Sequence, residues 1–466
     1  MIKNAIRRIL GLTLLCLAQV SLNSAQTANP PQPLKLEAAV ELALSNYPAI
    51  KTAQAQAAAA KSNIDLAHNS YVPRIDLLFQ ENRATRNNVF GMVLPQSIVP
   101  GISGPVLDTT SWESTFGSAG GTLFQWEPFD FGVRKAQVDV ARALTNQANA
   151  NIGVTELDVT ANAAEAFMAL AANEQAARAA EANVFRAKTF ADAVHVLVSN
   201  QLRAGSEAAR ADAELSVART QLLRAQQLTE ISRATLAEAI GMPGTSVSIS
   251  SDSLLELPPE TGTPVPKFDF HPLAIAQKSA IDIVRAREHV LTRSYFPRFD
   301  LQASMSARGT GAITNGLFEG GWHGLVPTTP NYGIGLTVTF PALDFFSIRA
   351  RRRIEEGNEA VEQARYDQTI QALKGQYARA QALVDGAVRI AQETPAQLKA
   401  AQDAERLILE RYKYGLATVT EVADGQRLLA QAEIDDRVSH LNVWRALLLA
   451  AKLQGDLKPF LQRIRQ

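Results

Sequence analysis

The residues able to do chemistry in this 466-residue chain do not assemble into a reaction centre. Its histidines, His68, His195, His271, His289, His323 and His440, are scattered, with no HExxH or comparable pair for a metal. No Walker A loop, dinucleotide fingerprint or G-x-S-x-G elbow occurs, so no catalytic residue, cofactor site or metal site is assigned. What remains is charge at regular spacing. Glu421 and Asp424 stand three residues apart, on one face of a helix that follows Gly415. On spacing alone they read as a solvated helix face, as does Asp212 in the first half. Tyr412 stands three residues before Gly415 and fits an ordinary core aromatic. Arg351, Arg352 and Arg353 open a long helix and fit a solvated face, with anionic headgroups as the other candidate contact.

These side chains are positioned by a duplicated chain. SYVPRIDL at residues 70–77 returns as SYFPRFDL at 294–301, with an offset of 224 residues, and Pro48 and Pro272 keep the same offset. A match that holds a distant proline in register points to an internal repeat. Lysine plus arginine and aspartate plus glutamate are both 46, so no global field favours nucleic acid, and none is expected as a partner. The N-terminus has a basic start, a short apolar run from Ile9 to Val20 and small residues through Ala25, which reads as an export signal. The only cysteine, Cys16, lies within it, so the exported protein is expected to lack thiols. No later stretch is long and apolar enough for a membrane helix, which leaves a soluble exported protein or a β-barrel.

The pattern predicts a short helix before Pro48, a helix from Pro48 to Tyr71, a strand from Arg74, a long loop over 82–114 and a strand over 115–126. A helix of about 65 residues from Val133, roughly 100 Å long, follows. A turn holding Gly205 leads to a helix ending at Ile240. The second half repeats this order: helix 272–295, strand 298–307, loop, strand 331–340, long helix 348–413, a turn at Gly415, and helix 418–455. Pro395 falls inside the second long helix, where a kink or break is expected. Pro73 and Pro297 mark the helix-to-strand junctions. The chain thus divides into a signal at 1–25, a first repeat at 26–244, a linker at 245–266, a second repeat at 267–457 and a tail at 458–466. In each repeat the two shorter helices together match the long one, so they can stack end to end beside it.

Four strands cannot close a barrel, whose smallest membrane form has about eight. If the strands meet lipid, several chains must share one barrel. A small sheet on a helical bundle is the soluble counterpart, and the alternation alone leaves both open.

The whole mature chain resembles the TolC family of outer-membrane efflux proteins. The resemblance is carried by LKLEAAVELALSNYPAI, the paired SYVPRIDL and SYFPRFDL, FDFGVRKAQVDVA, LDFFSIRARRRIEEGNEA and RYKYGLATVTEVADGQRLLAQAE, in that arrangement. It implies a mainly α fold with a membrane β-barrel portion, in which a homotrimer builds a twelve-strand barrel on a twelve-helix α-barrel. It implies an outer-membrane location with a large periplasmic portion, contact with outer-membrane lipid, and partnership with a periplasmic adaptor and an inner-membrane pump. The function implied is a passive exit duct for efflux or type I secretion of small molecules or proteins, not an enzyme. A periplasmic coiled-coil adaptor or scaffold is the alternative, although the lipoyl-like modules of adaptors are not visible.

By the same resemblance the turns with Gly205 and Gly415 are periplasmic helix tips, each glycine supplying a left-handed reversal. Glu421 and Asp424 match an acidic entrance constriction, with Asp212 one residue out of register in the first repeat. Tyr412 stands where relatives place a gating tyrosine. Ala417 stands where some relatives carry a gate arginine, which puts an ion-pair lock from that position in doubt.

Overall fold

The computed structural model describes residues 33–464 apart from 86, 88–96, 100–107, 109, 259–261, 263, 314–316 and 318. The signal expected at 1–25 lies outside the described residues. Helices α1 (Leu36–Asn46) and α2 (Pro48–Asn69) lead to strand β1 (Arg74–Thr85), and strand β2 (Ser114–Phe129) leads to helices α3 (Val133–Ser199) and α4 (Gly205–Ala239). The second half runs α5 (Pro272–Arg293), β3 (Arg298–Thr310), β4 (Thr329–Thr339), α6 (Phe345–Lys413) and α7 (Val419–Gln454). The segment read as a tail holds a further helix, α8 (Lys458–Ile464), which buries Phe460 and Ile464. Both β1 and β2 reach further into the expected loop than alternation indicated, because Thr85 still pairs with Ser114.

Prolines set the helix starts and the junctions. Pro48 and Pro272 are the first residues of α2 and α5, where a missing N–H removes no helical bond. Pro73 and Pro297 fall between the end of a helix and the first residue of a strand. Helices α3 (67 residues) and α6 (69 residues) are each about 100 Å long. Beside α3 lie α2 and α4; beside α6 lie α5 and α7. The shorter helices meet end to end through left-handed glycines. A Cβ on Gly241 (φ +73) would fall 2.9 Å from Asn46, and one on Gly455 (φ +85) would fall 2.8 Å from Pro272 Cδ.

The two repeats share one core at mid-height. It combines Phe167, Met168 and Leu170 of α3 with Leu236 of α4 and Leu441, Trp444 and Leu447 of α7. The linker is strapped over it by side-chain donors that satisfy its carbonyls, as buried backbone requires. Tyr377 Oη donates to Pro264 O (2.8 Å), Trp444 Nε1 to Glu256 O (2.9 Å) and His440 Nδ1 to Leu255 O (2.6 Å).

Pro395 does not break α6, which continues as one helix through it. The ring removes the donor to the Ala391 carbonyl, but the buried Thr394 hydroxyl lies 3.5 Å from that oxygen and 3.0 Å from Ser439 Oγ on α7. Neighbouring hydroxyls thus offset the lost helical bond.

The strands form one antiparallel sheet in the order β1-β2-β3-β4. Its register aligns Ile75 with Phe124, Leu301 with Leu336 and Ala303 with Ile334, so the apolar sets of all four strands share one face. Asp76, Gln125, Gln302 and Thr337 belong to the opposite face. Among the described residues nothing covers the apolar face: Leu77 is 78% exposed, Ile334 76% and Leu336 62%. The polar face carries a patch of Leu78, Ala119 and Leu123 over which Ile98 and Val99 pack.

The repeated motif does different work in its two copies. After β2, Asp130 accepts hydrogen bonds from the backbone N–H groups of Gly132 (3.0 Å) and Arg134 (2.7 Å) and pairs with the buried Arg134 guanidinium at 2.9 Å. That guanidinium donates to Ser70 O and lies 4.8 Å over the Tyr71 ring, tying the first copy to the start of α3. In the second copy Tyr295 instead packs against Phe345 at 5.4 Å.

Candidate functional site at the helix tips

Opposite the sheet, α3 turns into α4 and α6 into α7. Both turns use one backbone motif. At the end of α6, Gly415 is left-handed (φ +75); its N–H bonds to Tyr412 O (3.0 Å) and the Leu416 N–H to Arg411 O (2.9 Å). At the end of α3, Gln201 is left-handed (φ +57), with Gln201 N–H to Val198 O (2.9 Å) and Leu202 N–H to Leu197 O (2.9 Å). These are paired Schellman closures with a leucine following each.

The expectation for Gly205 is therefore corrected. It opens α4 and has no left-handed torsion; the reversal falls on Gln201. Aligning the two glycines put the tips four residues out of register. With Gln201 matched to Gly415, Arg203 matches Ala417 and Glu207 matches Glu421. The arginine missing at 417 is thus present at the equivalent place in the first repeat. Sequence reasoning missed Arg203 and Glu207 because glycine was the only turn signal it followed.

Arg203 and Glu207 close on Tyr412. The Arg203 guanidinium donates to Tyr412 O (3.1 Å), lies 4.9 Å over the tyrosine ring and stands 3.6 Å from Glu207. Tyr412 Oη donates to Glu207 Oε2 at 3.1 Å, and its ring meets Phe190 edge-on at 5.1 Å. The tyrosine is buried in a cluster that includes Val194, Ala211 and Val422. Burial, then the bond to Glu207 and its negative charge, push the phenol up to about 12. Tyr412 is thus a neutral donor latching the second tip to the first.

The two acids after Gly415 are not used alike. Thr418 caps α7 and Glu421 completes a capping box: Thr418 Oγ1 accepts from Glu421 N–H (3.3 Å), and Glu421 Oε2 accepts from Thr418 N–H (2.6 Å). Those bonds, backbone first, hold the Glu421 carboxyl below its ordinary range. The Thr418-Val419-Thr420-Glu421 spacing carried this signal. Asp424 instead pairs with Arg427 at 3.0 Å, and Arg427 reaches Glu214 on α4 at 3.3 Å. Asp212 is 2.8 Å from His195 on α3 and takes no part in the bonds of the Tyr412 latch. Beside the latch, α3 and α6 flank a groove of about 430 Å³ lined by Phe185, Leu197, Leu409 and Tyr412.

The outer membrane efflux protein family model matches residues 39–242 and 276–438, most of both repeats. The chain belongs to the outer membrane efflux protein family. Comparison with curated protein sequences gives no match. Among solved structures, the fold is similar to the Campylobacter jejuni CmeC outer membrane channel, with a TM-score of 0.70, 15% identity and coverage of 90% of this chain and 85% of that one. Similarity to VceC, an outer membrane protein of Vibrio cholerae, has a TM-score of 0.69 and 16% identity, covering 90% and 96%. For CusC, described for folding and transmembrane channel formation, the TM-score is 0.73 at 12% identity, covering 90% and 92%. This efflux-family fold accounts for the repeated order of helix, strand pair and long helix. No described helix is long and apolar enough to cross a membrane.

Proposed function

We propose that this protein is a passive exit duct of the outer membrane, three copies of which close one barrel of twelve strands above a tunnel of long helices. One observation carries the reading. Among the described residues the sheet has two unpaired edges, β1 and β4, and a continuous apolar face with no covering layer. In lipid, open edges are not tolerated, and joining β4 of one copy to β1 of the next removes them. Strands of 11 to 16 residues suffice for a tilted crossing. The opposite face would then line the pore.

At the far end, the Tyr412 latch is the proposed closed contact, and Asp424 the entrance charge. A periplasmic adaptor and an inner-membrane pump are the proposed partners, supported by family membership. The exposed Leu202, Tyr414 and Leu416 at the tips, and the groove beside Tyr412, suit contact with helices of such an adaptor. The exported compound is proposed only as broadly as the family allows, small molecules or proteins. The direct test is conductance of the purified protein in planar bilayers together with its mass in detergent. Trimers that form discrete channels are expected; monomers without conductance overturn the proposal.

A further inference from the structure

His271 is buried, 6% exposed, where the second repeat's shorter helices meet end to end. It precedes α5 as its N-cap, and Nδ1 accepts the Leu273 N–H at 3.1 Å. Nε2 lies 3.2 Å from Lys452 O, a carbonyl at the end of α7, which can only accept. The Gly455 N–H closes on the same oxygen at 3.0 Å. One ring nitrogen must be bare and the other protonated, so the joint fits the neutral imidazole alone. A proton on Nδ1 would set two donors against each other at the Leu273 contact.

We propose that His271 is a proton-sensitive clamp, neutral when it joins the end of α7 to the start of α5 and releasing that joint when protonated, in the second repeat only. The first repeat supplies the control. There Gly241 abuts Asn46 in the same left-handed arrangement, but Tyr47 precedes the helix without a side-chain cap bond, and no imidazole is present.

The charged surroundings do not rescue the imidazolium. Lys452 on α7 brings a like charge; Asp158 on α3 opposes it but is held by Lys452 Nζ at 2.8 Å. Asp269, just before His271, accepts from Tyr366 on α6 at 2.9 Å. Asp456, past Gly455, accepts the Lys458 N–H of α8 at 2.9 Å. The start of α5 also presents the positive end of its dipole. Burial first of all lowers the His271 pKa from its ordinary value of 6.5, and the bond to Lys452 O opposes that only in part. Because the folded value is the lower one, the clamp is fully stable above the ordinary value. It weakens as pH falls below that value toward the folded one.

The test is hydrogen exchange by mass spectrometry on the full assembled chain at pH 7.5 and 5.5, normalised for intrinsic exchange. Protection of residues 268–276 and 449–456 is expected to fall on acidification, by up to about tenfold per pH unit. Residues 43–52 and 237–245 at the first-repeat joint are expected to hold their protection. In His271→Asn the side-chain carbonyl still accepts from Leu273 and does not titrate, so the acid response should disappear. Equal responses of the two joints in the natural chain, or a response that persists in His271→Asn, overturn the proposal. The comparison of joints decides the matter even if the variant does not fold, and it does not depend on whether the strands enter a membrane.

Discussion

Tyr412 concentrates the chemistry of the tips in one buried hydroxyl. Its bond to the charged Glu207 is of a kind that contributes about 1.5–3 kcal/mol, and the ring's stacking under Arg203 survives removal of the oxygen. Tyr412→Phe is therefore expected to leave the fold intact, lower its stability by about 1–2 kcal/mol and raise single-channel conductance. Unchanged conductance would reduce the latch to a packing contact. The two acids proposed for the entrance separate by role. Asp424→Asn removes a negative charge and leaves Arg427 paired with Glu214 alone, so it should cut cation preference, read from reversal potentials, more than Glu421→Gln. Glu421 acts first on its own helix end. Because its folded value is depressed, the cap contribution is present above the ordinary carboxylate value near 4.5 and is lost as pH falls through the depressed value. Spacing alone suggested a core aromatic at Tyr412 and a solvated face at Glu421 and Asp424, and the Thr418-to-Glu421 interval carried the capping box. The entrance and gate roles came only from the family resemblance, and the partners of Tyr412 were not readable. Arg203 and Glu207 lie more than 200 residues away in sequence from Tyr412, and only folding joins them.

At the scale of elements, prolines and periodicity located most helices and strands, because a change from a period of 3.6 to a period of 2 is written in the side chains themselves. Besides the tail helix and the longer β1 and β2, two features escaped. Pro395 was read by its local cost, but the compensation lies in Thr394 and in Ser439 on another helix. The first tip was read through Gly205, whereas the backbone reversal sits on a glutamine. A non-glycine residue in the left-handed region costs about 1–2 kcal/mol, and nothing in the Gln201 backbone bonds needs its side chain. Gln201→Gly is accordingly expected to raise stability by about 1 kcal/mol, measured as a higher melting temperature, without altering conductance. A lower melting temperature would show that the glutamine side chain makes a contact that outweighs its backbone strain.

For the whole molecule, the decisive matter is what covers the free edges of the sheet. A soluble bundle would hide its apolar face under helices, yet Ile75, Leu77, Tyr332, Ile334 and Leu336 are all exposed, and β1 and β4 each pair on one side only among the described residues. Closure by further copies makes a geometric demand: β1 of one copy and β4 of the next must run side by side with their pore faces aligned. Leu78 on β1 and Gly333, Gly335 and Thr337 on β4 belong to that face. If the segment holding Cys16 is removed on export, the background is free of thiols. Leu78→Cys combined in one chain with Gly333→Cys, Gly335→Cys or Thr337→Cys, then oxidised, should give covalent dimers and trimers in at least one register. A disulfide needs Cα atoms within about 7 Å, so only a true strand neighbour will link efficiently. Each single variant carries one cysteine and can link only two chains, so a ladder ending at three requires the head-to-tail ring. Covalent dimers without trimers, or no linkage in any register despite channel activity, would mean that the edges are closed by some other contact.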